Sequence, residues 1–338
     1  MTGRSRQPSG LLSLAGAVIR SPFAKVRSDA RTSGTRIVRA PLPIDPDHLA
    51  RYARICGFRY DGGAPPPLTY PHVLGFPSAM RLMTARDFPL PLLGLVHTWI
   101  TVTRHADWSA ADRPEITVHA EGLSPHRRGT EVTMVTEARL AGQLVWESRS
   151  GYLARHDRPS DTGAGPAPEG HDPSPDTGAG PAPEGHDRTE ATATARTRDA
   201  HDRPGDTPAP RTPTAATPAE AAGPGPTAEW HLASDLGRRY AGVSGDRNPI
   251  HLHPLTARAF GFPRTVAHGM WTFARCLAEL DPDGGRPSAR ADFKAPVLLP
   301  GTVTYATDGQ GHFRLHRGGR THLTGFAGLN AATSARSS

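Results

Sequence analysis

The sequence predicts an α+β protein in which one unit, a helix followed by consecutive antiparallel strands, occurs twice along the chain. In the N-terminal half, apolar residues at helical spacing precede a run of β-rich segments. The same order returns after residue 230. Between the two halves lies a stretch without large apolar residues. Together these observations predict two modest domains joined by a linker.

Composition limits the partners that the protein can have. The chain of 338 residues carries a net charge of +7, which would suit a polyanion if the basic residues were clustered. Lysine occurs only at Lys25 and Lys294, and no basic block reaches five residues. This scatter argues against a nucleic-acid partner, whereas it still suits a small anionic substrate.

The cysteine content and the apolar segments indicate the cellular compartment of the protein. Cys56 and Cys276 are too few for a disulfide framework and form no Cys-x-x-Cys pair, so we expect both to be buried apolar residues. The apolar segment 11–19 is short, and no small-x-small cleavage site follows it closely, which favours a helix over a secretory signal. No apolar run approaches the ~20 residues of a membrane span. We therefore expect a cytoplasmic protein.

Residues 1–40 are rich in Arg and Ser and predict a weakly ordered extension, and 41–155 predict the N-terminal domain. A helix is expected at 49–58, and a short helix after Ser78 in the apolar stretch 70–83. The predicted strands that follow are 93–103, 115–120, 131–140 and 143–154.

Residues 156–228 predict a disordered linker. The segment 161–172 recurs without change as 176–187, and sequence rich in Ala, Thr, Pro and Arg continues to residue 226. Without large apolar residues this segment cannot offset the entropy cost of ordering, and the repeat is too short and polar for a solenoid. Its histidines are too widely spaced to predict a metal site, namely His171, His186 and His201.

The C-terminal domain is expected over 229–330, with 331–338 as a disordered tail. A helical turn is predicted at 235–240 and a loop at 246–249, where Asp, Asn and Pro favour turns. Apolar residues at i, i+3, i+4, i+7 and i+10 from Met270 predict an amphipathic helix over 267–280. The predicted strands that follow are 291–297, 302–307, 312–317 and 321–329.

Most of the candidate catalytic side chains lie between residues 240 and 270. Tyr240-Ala-Gly-Val-Ser-Gly-Asp-Arg-Asn-Pro-Ile-His251 places Asp246 and His251 five positions apart in a predicted loop, and Gly261-Phe-Pro and Ala267-His-Gly-Met270 follow. A carboxylate and an imidazole that meet on one water can activate it near neutral pH. An arbitrary pair at this spacing would more often be a turn cap beside a packed imidazole.

This order of residues resembles the signature of the MaoC-like (R)-specific enoyl-thioester hydratases and dehydratases, also called hydratase 2. Phe293-Lys-Ala-Pro-Val-Leu-Leu-Pro-Gly301 is similar to the same family. Tyr70-Pro-His-Val-Leu-Gly-Phe-Pro77, with Leu93-Gly-Leu-Val-His97 behind it, resembles the degenerate domain that precedes the catalytic one in two-domain members. The family fold is the hotdog, a central helix wrapped by a curved antiparallel sheet, so the resemblance implies a double hotdog. The long linker departs from the brief connection that related double hotdogs usually have.

The resemblance implies a cofactor-free hydro-lyase that interconverts trans-2-enoyl and (R)-3-hydroxyacyl thioesters of coenzyme A or acyl carrier protein. In the family, residues matching Asp246 and His251 hold the catalytic water. Gly269, in the first turn of a helix whose free N–H groups favour an oxyanion, would face the thioester carbonyl. Supporting roles are expected for Ser244, Asn248 and His268.

Several alternatives stay open at this point. Asp246, His251, His253 and His268 could be drawn as zinc ligands, although the family resembled uses no metal and commonly has Asp at the position of His253. Arg258, Arg264 and Lys294 are candidates for gripping coenzyme A phosphates. A hotdog thioesterase and a catalytically silent acyl-binding subunit are the rival functions. The expected partners include a second copy or a paired hotdog subunit.

Overall fold

The computed structural model describes residue 32 and residues 34–92, 94–156, 227–281 and 285–328. The expectations for residues 1–31, for almost all of the linker with its repeat, and for the tail at 331–338 lie outside the described residues. None of the described helices is long and apolar enough to cross a membrane. Cys56 and Cys276 are both free and buried, as predicted.

The described part of the N-terminal half contains two helices and five strands. In chain order they are β1 (Arg36–Arg39), α1 (Pro46–Cys56), α2 (Tyr70–Met83), β2 (Val96–Arg104), β3 (Glu115–His126), β4 (Gly129–Leu140) and β5 (Gln143–Arg155). Strand β1 lies inside the range 1–40 predicted to be weakly ordered, so the ordered part of this half begins earlier than predicted. It is held by antiparallel pairing with β3.

The C-terminal half contains four helices and five strands among the described residues. In chain order they are β6 (Thr227–Leu232), α3 (Leu236–Ser244), α4 (Pro249–Leu252), α5 (Pro254–Ala259), α6 (Gly269–Leu280), β7 (Ser288–Phe293), β8 (Gly301–Thr307), β9 (His312–Arg317) and β10 (Arg320–Gly328).

The ten strands form one antiparallel sheet in the order β1-β3-β4-β5-β2-β7-β10-β9-β8-β6. In each half the first strand pairs with the third, the third with the fourth, the fourth with the fifth, and the fifth with the second. The halves join where β2 pairs with β7, with Ile100 opposite Ala291. This repeated topology confirms the predicted double hotdog.

Each half places one long helix against the sheet, α2 against β3 and β4 in the first half and α6 against β9 and β10 in the second. Gly75 lets α2 approach the sheet closely, because a Cβ at this position would lie 2.5 Å from the Thr136 methyl group. The apolar side chains of both halves form one continuous core. Both halves therefore share the interior in which the candidate site lies.

Helix α2 is longer than predicted. It begins at Tyr70 rather than after Ser78, with Pro71 in its first turn, where the missing N–H costs no hydrogen bond. Pro77 lies inside the helix. Nine of the 14 residues of α2 are buried, and this packing outweighs the weak local helix preference that the prolines suggest.

The segment after α6 also differs from the prediction. Strand β7 ends at Phe293, whereas a strand was expected over 291–297. The chain beyond it pairs instead with the loop before α6: the Ala267 N–H donates to the Val297 carbonyl at 2.8 Å, and the Leu299 N–H donates to the Thr265 carbonyl at 2.8 Å. This loop-to-loop pairing fixes the entry to α6.

Candidate active site

The predicted catalytic loop begins where α3 ends. Gly245 caps the helix with a φ of 74°, a left-handed conformation that glycine adopts easily, and Asp246 follows it. Gly237, near the start of α3, faces α4, and a Cβ there would overlap the His251 carbonyl oxygen. The glycines of α3 therefore set where the loop starts and how closely α4 packs.

Short polar contacts shape the loop itself. The Ser244 hydroxyl accepts from the Asp246 N–H at 3.2 Å, and an Asp246 carboxylate oxygen accepts from the Asn248 N–H at 3.0 Å. The Asn248 side chain accepts from the Ile250 N–H at 3.4 Å and caps α4. Ser244 and Asn248 therefore hold the backbone of the loop around Asp246, and their supporting role in catalysis stays a prediction.

His251 lies on the short helix α4 rather than in the predicted loop, because Asn248 caps a turn that Pro249 begins. The imidazole is buried, and its Nδ1 bonds to the Val266 carbonyl at 2.7 Å. Since a carbonyl can only accept, Nδ1 carries the hydrogen and Nε2 is left basic. Burial lowers the pKa of His251, while the Asp246 carboxylate and the Val266 bond oppose that shift.

The His268 side chain contacts both Asp246 and His251, which the sequence does not predict. Its Nε2 donates to the Asp246 backbone carbonyl at 3.0 Å and lies 3.8 Å from an Asp246 carboxylate oxygen. Its ring stacks on that of His251 with centroids 3.7 Å apart. Burial, followed by the neighbouring His251, lowers the pKa of His268 to about 3. His268 is therefore neutral near pH 7 and holds the loop that carries Asp246.

Gly269 is the first residue of α6, so it lies where backbone N–H groups point out of the helix. A Cβ at this position would lie 3.2 Å from the ring of Phe293, which leaves little room for a side chain. The structure thus brings the helix start next to the Asp246, His251 and His268 cluster through His268, the residue immediately before it.

The candidate phosphate-binding residues lie on different segments, with Arg258 on α5, Arg264 on the loop before α6 and Lys294 just beyond β7. The Arg258 side chain donates to the Pro263 carbonyl at 3.4 Å, and the Arg264 side chain donates to the Pro300 carbonyl at 2.8 Å. Lys294 is exposed just beyond β7. These contacts place Arg264 against the loop that pairs with residues 265–267, whereas Arg258 contacts its own turn.

The spacing of the candidate metal ligands can be compared with that of a zinc site. His253 lies apart from the predicted set, because its Nδ1 caps α5 by accepting from the Leu255 N–H at 3.2 Å. Asp246, His251 and His268 each offer one atom within 4.8 Å of the others. Ligand atoms about 2.1 Å from a tetrahedral zinc ion lie about 3.4 Å apart. A zinc ion would therefore require the three side chains to move closer together.

The N-terminal half contributes groups that sequence reasoning did not assign to the site. His48 of α1 donates through Nε2 to the Val243 carbonyl at 2.7 Å, and its Nδ1 accepts from the Tyr70 hydroxyl at 2.9 Å. Burial lowers the pKa of His72 and raises that of Tyr152, and the nearby Asp246 carboxylate opposes the first shift and adds to the second. His72 falls within the stretch 70–77 that resembles the degenerate domain, and this resemblance was the sequence signal for His72.

Comparison with known proteins identifies similar sequences. Residues 200–322 match the family model of the MaoC like domain. The chain is 34% identical to 3-hydroxyacyl-thioester dehydratase X of Mycobacterium tuberculosis over 313 residues, which cover 91% of this chain and 92% of the relative.

Solved structures share the fold over most of the chain. The crystal structure of HtdX of Mycobacterium tuberculosis is 29% identical, with a TM-score of 0.61 over 87% of this chain and 100% of that chain. A MaoC-like dehydratase from Phytophthora capsici shares the fold, with a TM-score of 0.61 at 17% identity over 92% of this chain and 100% of that chain. On the sequence identity to the mycobacterial dehydratase, which extends along nearly the whole of both chains, this protein belongs to the MaoC-like family of hydratases and dehydratases.

Proposed function

We propose that the protein reversibly hydrates a trans-2-enoyl thioester to the (R)-3-hydroxyacyl thioester, with Asp246 and His251 acting on one water. The observation that carries this proposal is the cluster of Asp246, His251 and His268, whose polar atoms lie within 4.8 Å of one another beside the start of α6. The name of the mycobacterial relative, a 3-hydroxyacyl-thioester dehydratase, supports the same reaction class.

His251 supplies the base. Its bond to Val266 keeps the hydrogen on Nδ1, and its lowered pKa keeps the ring neutral near pH 7. Nε2 takes a proton from water as the hydroxyl group adds to C3 of the enoyl chain. The pair formed by Asp246 and His251 then returns a proton to C2, so one water is consumed and the protein regains its starting protonation state. Dehydration is the same sequence in reverse.

Gly269 supplies the stabilisation of charge. As the hydroxyl group adds to C3, negative charge develops on the thioester carbonyl oxygen. The backbone N–H groups at the start of α6 are suited to donate hydrogen bonds to that oxygen, and the helix dipole has its positive end there. The Phe293 ring accounts for the glycine at this position, because a Cβ at residue 269 would lie 3.2 Å from that ring.

The substrate carrier is coenzyme A or acyl carrier protein in this proposal. Our candidates for contacts with phosphate remain Arg258 on α5, Arg264 on the loop before α6 and Lys294 just beyond β7. Their positive charges suit a phosphate-bearing carrier. We place the reaction in the cytoplasm, where both carriers are available.

Product analysis tests this proposal against hydrolysis of the thioester. Purified protein is incubated with a trans-2-enoyl-CoA, and the products are separated on a chiral column while free thiol is titrated in parallel. The (R)-3-hydroxyacyl-CoA without thiol release is the expected result. Release of coenzyme A without a hydroxyacyl product would instead identify a thioesterase.

A further inference from the structure

The two halves differ in the side chains that they place between the central helix and the strands that follow it. In the C-terminal half, three pairs of residues on β10 and β7 carry no polar side chain: Leu323–Phe293, Gly325–Ala291 and Ala327–Ala289. In the N-terminal half, the pairs on β5 and β2 are Ser148–Val102, Ser150–Ile100 and Tyr152–His97. The same topology thus carries an apolar surface in one half and a polar surface in the other.

This polar face of the N-terminal half consists of His72 on α2 with His97, Ser148, Ser150 and Tyr152 on β2 and β5. Ser148 and Ser150 are each 1% exposed. His72 Nδ1 bonds to the Ser148 hydroxyl at 3.3 Å. Because a hotdog half can be built with apolar residues at this place, as the C-terminal half is, the fold alone does not require these polar groups.

Two atoms of the polar face have no hydrogen-bond partner among the described residues. They are Nε2 of His97 and the hydroxyl oxygen of Ser150, and both are buried. Ser150 faces Ile100 across the strand pair, and Ile100 has no polar side-chain atom to offer it. A buried polar group without a partner costs free energy, which a ligand group that forms the hydrogen bond would recover.

The polar face borders the candidate active site. The His97 ring stacks on Tyr152 with centroids 4.6 Å apart and contacts Phe293 with centroids 4.7 Å apart. Phe293 in turn lies against Gly269, the residue proposed to face the thioester carbonyl. On the other side, the Asp246 carboxylate affects both His72 and Tyr152 electrostatically. A substrate held at Gly269 and Asp246 therefore has the polar face as its neighbour.

The charge state of the polar face restricts its ligand. Burial lowers the pKa of His72 to about 4 and that of His97 to about 3, so both imidazoles are neutral near pH 7. Burial raises the pKa of Tyr152, so its hydroxyl group is neutral as well. Neutral donors and acceptors suit a hydroxyl, keto or ether oxygen better than a carboxylate or a phosphate.

We propose that the polar face binds a neutral oxygen-bearing group on the acyl chain beyond C3, so that the protein prefers oxygenated enoyl thioesters over plain alkyl ones. This inference rests on the proposed function, because it requires the thioester to lie at Gly269. It adds a substrate class to that function. His97 and Ser150 are the specificity-determining residues in this account, since their free atoms are the ones that a substrate oxygen would reach.

The test compares kcat/KM for enoyl-CoA pairs of equal length, one plain and one carrying a hydroxyl or keto group at successive carbons beyond C3. Wild-type protein should favour one oxygenated position by at least about tenfold, because a site built to hydrogen-bond a substrate rejects the analogue that lacks the group. Ser150→Ala and His97→Phe should each reduce that preference. Tyr305→Phe is the matched control, since it removes a buried hydroxyl group from the C-terminal half and should leave the preference unchanged.

Equal or better turnover of the plain alkyl substrates by wild-type protein would overturn the inference while leaving the proposed function intact. A preference that survives in both Ser150→Ala and His97→Phe would also overturn it. Hydration of none of the substrates would contradict the proposed function itself, and the inference with it.

Discussion

His268 stacks on His251 with ring centroids 3.7 Å apart, and the same His268 ring donates to the Asp246 backbone carbonyl at 3.0 Å. One side chain thus contacts both members of the proposed catalytic pair. Because His268 is buried and neutral, it can fix the distance between them without adding a charge that would disturb either. The geometry assigns His268 a positioning role.

Replacing His268 tests that role. His268→Phe keeps a ring for stacking on His251 but loses the N–H that holds the Asp246 carbonyl. We expect kcat to fall by about tenfold or more with KM nearly unchanged, since a misplaced acid or base slows the chemistry more than it weakens binding. Steady-state kinetics of His268→Phe would check this. His253→Ala is the control, because it removes a cap from α5 outside the cluster. A KM effect alone would show that His268 acts on binding instead.

Acidification should destabilise the protein. The unfolded histidines have a pKa near 6.5, whereas burial lowers it to about 4 for His72 and about 3 for His97 and His268. Between these values the unfolded chain binds more protons than the folded one, so the free energy of unfolding falls as pH falls below about 6.5. Thermal melting should show a steadily decreasing Tm down to about pH 4, and a shallower decrease in His97→Phe. A Tm independent of pH over this range would contradict the burial of these rings as neutral groups.

The packing of α3 on α4 should control activity. Gly237→Ala would drive a methyl group into the His251 carbonyl, so we expect both a lower Tm and a kcat reduced by about tenfold or more. Gly242→Ala on the same helix is the matched control, because a Cβ there meets no atom within 4 Å. That control should be neutral or more stable by up to about 1 kcal/mol, since alanine favours helix. Equal behaviour of the two variants would show that the close contact does not position His251.

Deletion of residues 161–187 should change little. The segment has the composition of an unordered linker, and the entropy cost of closing a loop grows only logarithmically with its length. Shortening the connection in this way should therefore alter the free energy of unfolding by less than about 0.5 kcal/mol. Melting curves and turnover of the deletion variant would check this, and loss of folding would show that the repeat has a structural role.

Local pattern and motif predicted much of the fold, because strand alternation and the amphipathic spacing of α6 are properties of neighbouring residues. The length of helix α2 was underestimated, because its prolines locally disfavour a helix. Tertiary packing stabilises the helix in spite of them. The motif predicted that Asp246 and His251 act together. It did not predict the stacking of His268, which depends on how the loop before α6 folds back towards α4.

The individual residues that the N-terminal half places beside the candidate site were beyond the reach of sequence patterns. His97 comes beside Phe293 only because β2 pairs with β7, two strands that are far apart along the chain. No spacing rule connects residues across so long an interval. The sequence signal for the polar face was the set of polar residues on β5. It could be interpreted only in the structure, where the corresponding positions of β10 are apolar.

Hydration can be followed directly as the loss of enoyl-thioester absorbance when purified protein is mixed with short and long trans-2-enoyl-CoA substrates, with Asp246→Asn run alongside. Wild-type protein should consume the conjugated double bond. The Asn variant should be slower in kcat by at least ~10²-fold, the usual effect of losing a positioned acid or base. Similar rates in both proteins, with the variant shown to be folded, would contradict the assignment of Asp246 and His251 as the groups that act on water.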